Sequence, residues 1–163
     1  MLRKIGIGLL GLLALLILLS LLVYLLTMVE PAPDGSVAEA WLEPGPYSVA
    51  TVDRIFIDQS RSTNENRDAP DKPERTLTTS IWYPQDINGD APLIIHSHGF
   101  VSSRTDLGYA AEHLASYGFI VAAADYPLTN GAAEGGPNAN DVINQPEDVS
   151  FLIDSILALS GSE

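Results

Sequence analysis

Two short apolar runs on either side of an amphipathic stretch constrain the fold of this chain more than any other feature. Residues 92–96 and residues 119–124 are almost wholly apolar, as in strands that are buried on both faces. Between them, apolar residues recur at helical spacing from residue 106 to residue 117, and Gly118 supplies a helix stop. A strand, a helix and a strand within about 35 residues predict a βαβ unit with parallel strands and a right-handed crossover.

Two earlier strands are predicted before this unit. Residues 47–60 contain β-branched residues at a spacing that indicates a strand, and residues 76–84 are rich in β-branched and aromatic residues. These two strands are expected to pair with each other. The intervening residues 60–75 are too polar to pack and are expected to form an exposed loop. The chain is therefore predicted to have an α/β fold whose first strands are antiparallel and whose later strands are parallel.

Helix signals occur at two places. Ser103 and Asp106 fit a capping box at the beginning of the helix in the βαβ unit. Residues 128–144 are rich in Gly, Asn and Ala without any period, so they are predicted to form a loop. After this loop, Pro146 suits the first turn of a second helix, which Gly161 is predicted to end.

The N-terminal segment carries the strongest membrane signal of the sequence. Residues 5–29 contain no charged residue, and as a helix they would measure about 37 Å, enough to span a bilayer. Arg3 and Lys4 precede this stretch, so the positive-inside rule predicts a cytoplasmic N-terminus and a periplasmic or extracellular main domain. Residues 1–29 are thus predicted to be a cytoplasmic start followed by a single-pass signal anchor. A cleaved signal peptide and a buried core helix are the alternatives.

The composition excludes several partners and reactions. After the predicted anchor, in the Pro-rich linker over residues 30–46 and the rest of the chain, six basic residues remain against all 21 acidic residues. Such an acidic protein repels nucleic acid and anionic membrane surfaces, so no nucleic-acid partner is expected. The chain contains no Cys, which excludes disulfides, thiol catalysis and Cys-ligated zinc.

The end of the first apolar run is the candidate site. Open α/β sheets bind ligands where parallel strands end, and Gly99 allows a sharp turn at that point. The backbone N–H of Phe100 would then be a candidate oxyanion-hole donor, which stabilises the negative oxygen that forms in acyl transfer. An ordinary strand-to-helix turn is the other interpretation of the same residues. Asp125, at the end of the next strand, is either a catalytic acid or a turn cap.

Two further kinds of catalytic or binding group occur near this candidate site. His96 and His98 are two residues apart on a predicted strand, so they face the same side and permit a shared metal. Hydrogen-bonded structural histidines are the alternative, and no metal site is predicted. Ser97 and its neighbours lie close to the candidate oxyanion donor, but no serine in the chain has Gly at both −2 and +2, as a nucleophile elbow requires.

Four segments together resemble the first half of an α/β-hydrolase, namely residues 75–84, 91–104, 112–127 and 145–159. They are most similar to the branch that contains platelet-activating-factor acetylhydrolases and dienelactone hydrolases, which also resembles the polyester-degrading cutinases. The resemblance covers roughly residues 47–161. It implies the N-terminal half of an α/β-hydrolase sheet, with antiparallel first strands and then a parallel βαβ unit, and the uncharged stretch adds one transmembrane helix before it.

The resemblance also implies site residues. Phe100 would be the oxyanion-hole residue, with its backbone N–H as the donor, and His98 and Gly99 would shape the turn. The nucleophilic Ser, the Asp and the His of the family are not present in this chain and would lie beyond Glu163. Residues 47–163 are therefore expected to be a partial domain, truncated before the nucleophile elbow and inactive alone.

The resemblance implies a serine hydrolase that acts on carboxylic esters, and the predicted signal anchor makes it membrane-anchored and exported. Its substrate would be a small-molecule or lipid-like ester, and no metal or organic cofactor is expected. The loop over residues 128–144 would border the substrate pocket. Two other functions stay open from the sequence: a non-catalytic anchored binding module derived from a hydrolase, and a metal-binding domain that uses His96 and His98.

Overall fold

The computed structural model of the protein describes residues 2–30 and 33–160, with side chains for residues 11–30 and 33–159. The chain divides into two compact units, Met1–Glu43 and Pro44–Glu163. The boundary between the two units lies three residues from the predicted end of the Pro-rich linker.

The first unit begins with helix α1, Leu2–Thr27, which covers most of the uncharged stretch. All the side chains described in this helix are exposed. Among the residues that the structure describes, no helix has both the length and the apolar character that crossing a membrane requires. The predicted transmembrane helix is therefore unsupported by the structure. The side chains of Arg3 and Lys4, which set its predicted orientation, lie outside the described side chains.

A one-turn helix, α2, interrupts the region that was predicted to be an extended linker. It spans Val37–Ala40, and the Ser36 side chain accepts a hydrogen bond of 3.2 Å from the Glu39 backbone N–H. The Glu39 carboxylate in turn accepts a hydrogen bond from the Gly35 N–H. These reciprocal bonds satisfy backbone donors that a helix N-terminus otherwise leaves unpaired, which is why a helix forms within a Pro-rich segment.

The second unit is built on a sheet of four strands, β1 Val49–Asp58, β2 Arg75–Pro84, β3 Leu93–His96 and β4 Ile120–Asp125. The strand order is β1-β2-β4-β3. The pairs β1–β2 and β2–β4 are antiparallel, whereas β3 and β4 are parallel. The predicted antiparallel first strands and the predicted parallel βαβ unit are both confirmed.

The hydrophobic core lies on both faces of β2 and β4. On one face, Trp82 packs with Val121 and with Ala115 of helix α3, Gly108–Ser116. On the other face, Leu77 packs with Leu152 of the last helix. Leu77 and Leu152 are both fully buried, and each contributes roughly 1.5–3 kcal/mol of burial free energy. Because β4 is covered on both sides, its run of apolar residues lacks the alternation of a half-exposed strand.

Strand β3 departs from its prediction. Its four residues were predicted to be buried on both faces, yet all four are only half-buried. Within the described sheet β3 pairs with one neighbour, β4, so its other edge is uncovered there. The number of neighbouring strands, rather than the apolar pattern, sets the burial of this strand.

Helix α3 ends as predicted but does not begin as predicted. Gly118 follows the helix with a φ of +98°, a conformation that favours glycine. At its N-terminus, Leu107 occupies the cap position and no side-chain hydrogen bond caps the helix. The predicted capping box is therefore wrong. The Asp106 carboxylate accepts hydrogen bonds from the Ser102 hydroxyl and from His96.

The polar segment over residues 60–75 is mostly exposed, as predicted, but it is not too polar to pack, because buried polar side chains hold it to the domain. Asn66 is buried, and its side-chain amide donates hydrogen bonds to the backbone carbonyls of Glu134 (2.7 Å) and Gly136 (2.6 Å). Thr63 is also buried, and its hydroxyl donates to the Glu74 carbonyl at 2.9 Å. Polar side chains pack here because each finds a hydrogen-bond partner, which hydrophobicity alone does not indicate.

The last elements are a 3₁₀ helix, Ala139–Asn144, and helix α4, Gln145–Ser160. Helix α4 confirms the predicted helix with Pro146 in its first turn. Gly161, which was predicted to end this helix, lies outside the described residues. The 3₁₀ helix lies within the predicted loop over residues 128–144. Buried side chains of residues 128–130 show that this loop is also packed against the domain.

A buried ion network joins these last elements to β2. Arg75 is 1% exposed, and its guanidinium makes paired hydrogen bonds to the carboxylates of Asp148 (2.8 and 2.7 Å) and Asp141 (3.1 and 2.9 Å). Arg61 adds an ion pair of 2.8 Å to Asp148 and another of 2.7 Å to Asp58. The network ties the beginning of β2 to the 3₁₀ helix and to the first turn of α4, where a carboxylate also suits the helix dipole.

Candidate active site

A tight turn over residues 99–102 follows β3 and precedes α3. The Ser102 N–H donates a hydrogen bond of 3.0 Å to the Gly99 carbonyl, which closes the turn. Val101 has a φ of +67°, as the third residue of a type II turn requires. A β-branched residue rarely adopts this conformation, so the turn is held by other contacts rather than by the preference of its own residues.

His98 supports the turn from inside the domain. It is 3% exposed, and its Nδ1 lies 2.8 Å from the Gly99 carbonyl oxygen. The Tyr126 backbone N–H donates to Nε2 of the same ring at 3.4 Å. Because Nε2 accepts a hydrogen bond, this geometry assigns the ring proton to Nδ1, which then donates to Gly99. The ring also lies 5.1 Å from the ring of Tyr126, so it is fixed between a strand end and the turn.

The backbone N–H of Phe100 is the available donor of this turn. Within the described ranges 2–30 and 33–160, none of the residues accepts a hydrogen bond from it. The Phe100 side chain is 51% exposed. A Cβ placed on Gly99 would meet no atom within 4 Å, so the space beside the turn is open. The arrangement leaves a backbone donor accessible at the end of a parallel strand, and such a donor can stabilise a developing oxyanion.

A cluster next to the turn contains the residue types of a catalytic triad in the wrong order. Asp106 lies between the other two: His96 Nε2 is 3.2 Å from Asp106 Oδ1, and the Ser102 hydroxyl donates to Oδ2. Partial burial opposes ionisation of Asp106, but the hydrogen bonds from Ser102 and His96 outweigh it and hold the pKa of Asp106 below its usual range. Since no histidine lies between the serine and the aspartate, this cluster cannot deprotonate Ser102 in the manner of a triad.

Asp125 lies at the end of β4 and is committed to a structural contact. Its carboxylate accepts a hydrogen bond of 2.7 Å from the Arg104 backbone N–H and forms an ion pair with the Arg104 guanidinium. Arg104 Nε also donates to the Ser80 hydroxyl at 3.0 Å. Of the two interpretations of Asp125, the structure favours the turn cap, because both of its oxygens hold the segment that leads into α3.

The two strand-end histidines have separate partners. His96 contacts Asp106, whereas His98 contacts the Gly99 carbonyl and the Tyr126 N–H. Across the described part of the chain, no group of three or more His, Cys, Asp or Glu side chains is placed to hold a metal ion. The geometry therefore gives no support to a metal site built on this pair.

The loop after β4 supplies contacts that the sequence did not indicate. The Thr129 carbonyl accepts a hydrogen bond of 2.9 Å from the Val101 N–H, and the Gly131 N–H donates one of 2.8 Å to the Ser102 carbonyl. The same loop borders a cleft of about 300 Å³ that also reaches Asp125. The other side of this cleft is formed by β2 and the folded polar segment, through Thr76, Thr78, Thr63, Asn64, Ala69, Pro70 and Lys72.

The sequence profile of one family matches this region. The family described as platelet-activating factor acetylhydrolase, isoform II, matches residues 75–133, from the beginning of β2 through the loop after β4. The matched stretch includes the turn over residues 99–102 and the loop that contacts it. Comparison with curated proteins gives no match.

Two solved structures are similar to this chain, and the first of them shares its fold. A ferulic acid esterase from Streptomyces cinnamoneus is 20% identical with a TM-score of 0.54, over 69% of this chain and 47% of that chain. A hypothetical protein from Pseudomonas aeruginosa is 22% identical with a TM-score of 0.32, over 61% of this chain and 26% of that chain. This chain thus spans less than half the length of the esterase. The profile match and the fold of the esterase confirm the recognition of an α/β-hydrolase-type chain.

Proposed function

We propose that this chain is the N-terminal part of a serine hydrolase that acts on carboxylic esters, with the Phe100 N–H as an oxyanion-hole donor. The observation that carries the proposal is the accessible Phe100 donor in a turn held on several sides. The profile match, which covers residues 75–133 and therefore this turn, supports the proposal. The ferulic acid esterase supports the fold in which such a turn follows a parallel strand.

In this reaction, a serine oxygen bonds to the ester carbonyl carbon while a histidine takes the serine proton. The carbonyl electron pair moves onto its oxygen, and the Phe100 N–H donates a hydrogen bond to that oxygen. The intermediate then expels the alcohol, which receives the proton from histidine, and water releases the acid from the acyl-serine in the same way. We place the serine, histidine and aspartate of this mechanism after residue 163, because the chain lacks the Gly-x-Ser-x-Gly signature.

The native gene and its product test the proposal. We expect the reading frame to continue past the codon for Glu163 into a strand with Gly-x-Ser-x-Gly. The complete product should hydrolyse p-nitrophenyl esters, and its serine-to-alanine variant should not. Residues 1–163 expressed alone should show no turnover. A stop codon after Glu163, or a complete product without ester hydrolysis, would overturn the proposal and leave a binding role as the alternative.

We also propose that the N-terminal segment is an uncleaved signal anchor that places the hydrolase domain outside the cytoplasm. This proposal rests on the sequence: residues 5–29 carry no charge, and Arg3 and Lys4 precede them. A bilayer would then be a partner of the protein through residues 5–29. A lipid-like ester substrate would be compatible with that location.

A further inference from the structure

We infer that residues 129–131, here called the clamp, set the orientation of the Phe100 N–H and are therefore positioning residues for the oxyanion. This inference rests on the proposed function. The clamp touches the turn from the loop after β4, at 27 residues or more from the turn in sequence. Neither the family profile nor the solved structures assign a role to it.

The turn needs an external hold because of Val101. A β-branched residue at a φ of +67° is strained, because its side chain crowds the neighbouring backbone in this left-handed region. Without other contacts, the segment would lower its free energy by rotating Val101 out of this conformation. The neighbouring peptide groups of the turn would move with it. The conformation persists only if surrounding contacts oppose this relaxation.

The clamp supplies two of those contacts, one on each side of the peptide bond between Val101 and Ser102. The Thr129 carbonyl accepts from the Val101 N–H at 2.9 Å. The Gly131 N–H donates to the Ser102 carbonyl at 2.8 Å. With both bonds formed, the Val101 N–H and the Ser102 carbonyl are fixed, so the strained residue cannot rotate without breaking a hydrogen bond.

Gly131 is required at its position by a close approach rather than by its own φ. A Cβ at residue 131 would lie 2.8 Å from the Val101 carbonyl oxygen and 3.7 Å from the Ser102 carbonyl oxygen. The first distance is shorter than a Cβ can tolerate against a backbone atom. Any larger residue would therefore push residue 131 away from the turn, or push Val101 out of its present conformation.

Thr129 and Asn130 fix the clamp to the rest of the domain. Thr129 is fully buried, and its hydroxyl accepts a hydrogen bond of 2.8 Å from the side-chain amide of Gln145, the first residue of α4. The Asn130 side chain donates to the Tyr126 carbonyl at 2.7 Å and accepts from the Ala132 N–H at 2.8 Å. The clamp is thus connected to a helix and to the end of β4, which makes it a rigid support.

Preorganisation is what such a support contributes to catalysis. An oxyanion donor is effective when it already points at the position of the negative oxygen, and removing one such donor typically lowers kcat by about 10²–10³. A donor misplaced by about 1 Å can cost 10²-fold. In this mechanism Thr129 and Gly131 act on the turn rather than on the substrate, so their loss is expected to reduce kcat while leaving KM nearly unchanged.

The primary test is Gly131→Ala in the complete gene product, with Gly108→Ala as the matched control. A Cβ on Gly108 would meet its nearest atom, in Trp82, at an ordinary 3.7 Å, so the control variant fits without a shift. We expect Gly131→Ala to lower kcat for p-nitrophenyl esters by about 10- to 100-fold, with KM within about twofold. The control should retain kcat. A Gly131→Ala variant with the kcat of the control would overturn the inference.

A second pair of variants covers the case in which Gly131→Ala fails to fold. Thr129→Val keeps the shape of the side chain but removes the acceptor for Gln145, whereas Thr129→Ser keeps the hydroxyl. We expect Thr129→Val to lower kcat by about 3- to 10-fold, because it removes the hydrogen bond between Gln145 and the Thr129 hydroxyl. Thr129→Ser keeps this hydrogen bond and should have the kcat of the wild-type protein. Equal kcat values for the two variants would contradict a positioning role for Thr129.

Hydrogen–deuterium exchange separates this inference from the proposed function. The Val101 amide should exchange faster in Gly131→Ala and Thr129→Val than in the wild-type protein, whether or not the protein hydrolyses esters. A wild-type product that does not hydrolyse esters would contradict the proposed function and, with it, a role of the clamp in catalysis. If the wild-type protein is active and the variants keep both kcat and the protection of the Val101 amide, the inference about the clamp is wrong and the proposed function stands.

Discussion

At the scale of single residues, the site depends on backbone groups rather than on reactive side chains. Phe100 offers its N–H, Gly99 its carbonyl and Val101 an unusual φ, while His98 acts by holding the Gly99 carbonyl. Side-chain substitutions at these positions therefore report on backbone geometry. Two of them distinguish the donor from the turn that carries it.

Replacing Phe100 by proline removes the proposed oxyanion donor with little change to the turn. Proline lacks a backbone N–H and is favoured at the second position of a type II turn, which Phe100 occupies. We expect Phe100→Pro to lower kcat of the complete product by about 10²–10³. Phe100→Ala, which keeps the N–H, is the control and should lose less than about tenfold. Equal losses in the two variants would assign the effect to the aromatic side chain.

Replacing Val101 by glycine should raise the free energy of unfolding. Glycine relieves about 1–3 kcal/mol of strain at a φ of +67° and costs roughly 0.5–1 kcal/mol through the flexibility of the unfolded chain. The expected net gain is about 1 kcal/mol, measured by urea denaturation. Val142→Gly, at an exposed residue of the 3₁₀ helix, should lose stability instead. A loss in both variants would show that Val101 is not strained.

At the scale of elements, the strands were predictable and the contacts between distant segments were not. Apolar periodicity within residues 92–124 indicates β3, α3 and β4, because each of these elements buries side chains at its own period. The folded segment over residues 60–75 was missed because its stability comes from Asn66, whose partners lie about 70 residues later. The clamp was missed for the same reason: a hydrogen bond between two loops leaves no period in either.

The buried ion network should be far more sensitive to substitution than the exposed ion pairs. Arg75→Leu leaves the buried carboxylates of Asp141 and Asp148 with less compensation, and breaking a buried pair typically costs about 3–5 kcal/mol. Lys72→Ala, which removes an exposed pair with Glu134, should cost less than about 1 kcal/mol. Denaturation of both variants checks this order. Similar losses would show that solvent reaches the Arg75 network.

Asp58, which belongs to the same ion network through Arg61, makes the stability of the protein sensitive to acid pH. Burial opposes ionisation of its carboxyl, but hydrogen bonds from Ser60 and Arg61 outweigh burial and hold the pKa of Asp58 below its usual range. A lowered pKa in the folded state stabilises the protein above the unfolded pKa of about 4, and this stabilisation is lost as pH falls through the folded pKa. Asp58→Asn should therefore be less stable than the wild-type protein at pH 7, and the difference should shrink towards pH 2. A difference that is constant with pH would contradict this linkage.

At the scale of the whole molecule, the recognition of the family depended on motifs spread over four elements. The turn, the βαβ unit and the strand before it are local patterns, and the profile match covers the same region. The location of the protein is a separate question, because it depends on the N-terminal unit, for which the uncharged stretch remains the observation in favour of a membrane anchor.

Cell fractionation tests the anchor. The protein should stay in the membrane fraction after extraction with alkaline carbonate, and a variant that lacks residues 1–29 should not. Replacing Leu15 and Leu16 by lysine should also release the protein, since a charge near the centre of a membrane helix costs about 2.5–3.5 kcal/mol. Leu15→Ile with Leu16→Ile is the control. A shortened, soluble product would instead indicate cleavage of a signal peptide.

The folded polar segment also decides where this chain tolerates engineering. Residues 60–75 look like the natural place for an epitope tag, yet an insertion there would displace the Asn66 amide and free the backbone of Glu134 and Gly136, a few residues from the clamp. The segment over residues 86–90, between β2 and β3, is mostly exposed, and a Cβ on its Gly89 would meet no atom within 4 Å. Insertions should therefore be tolerated in residues 86–90 and not in residues 60–75, although residues 60–75 are the more hydrophilic.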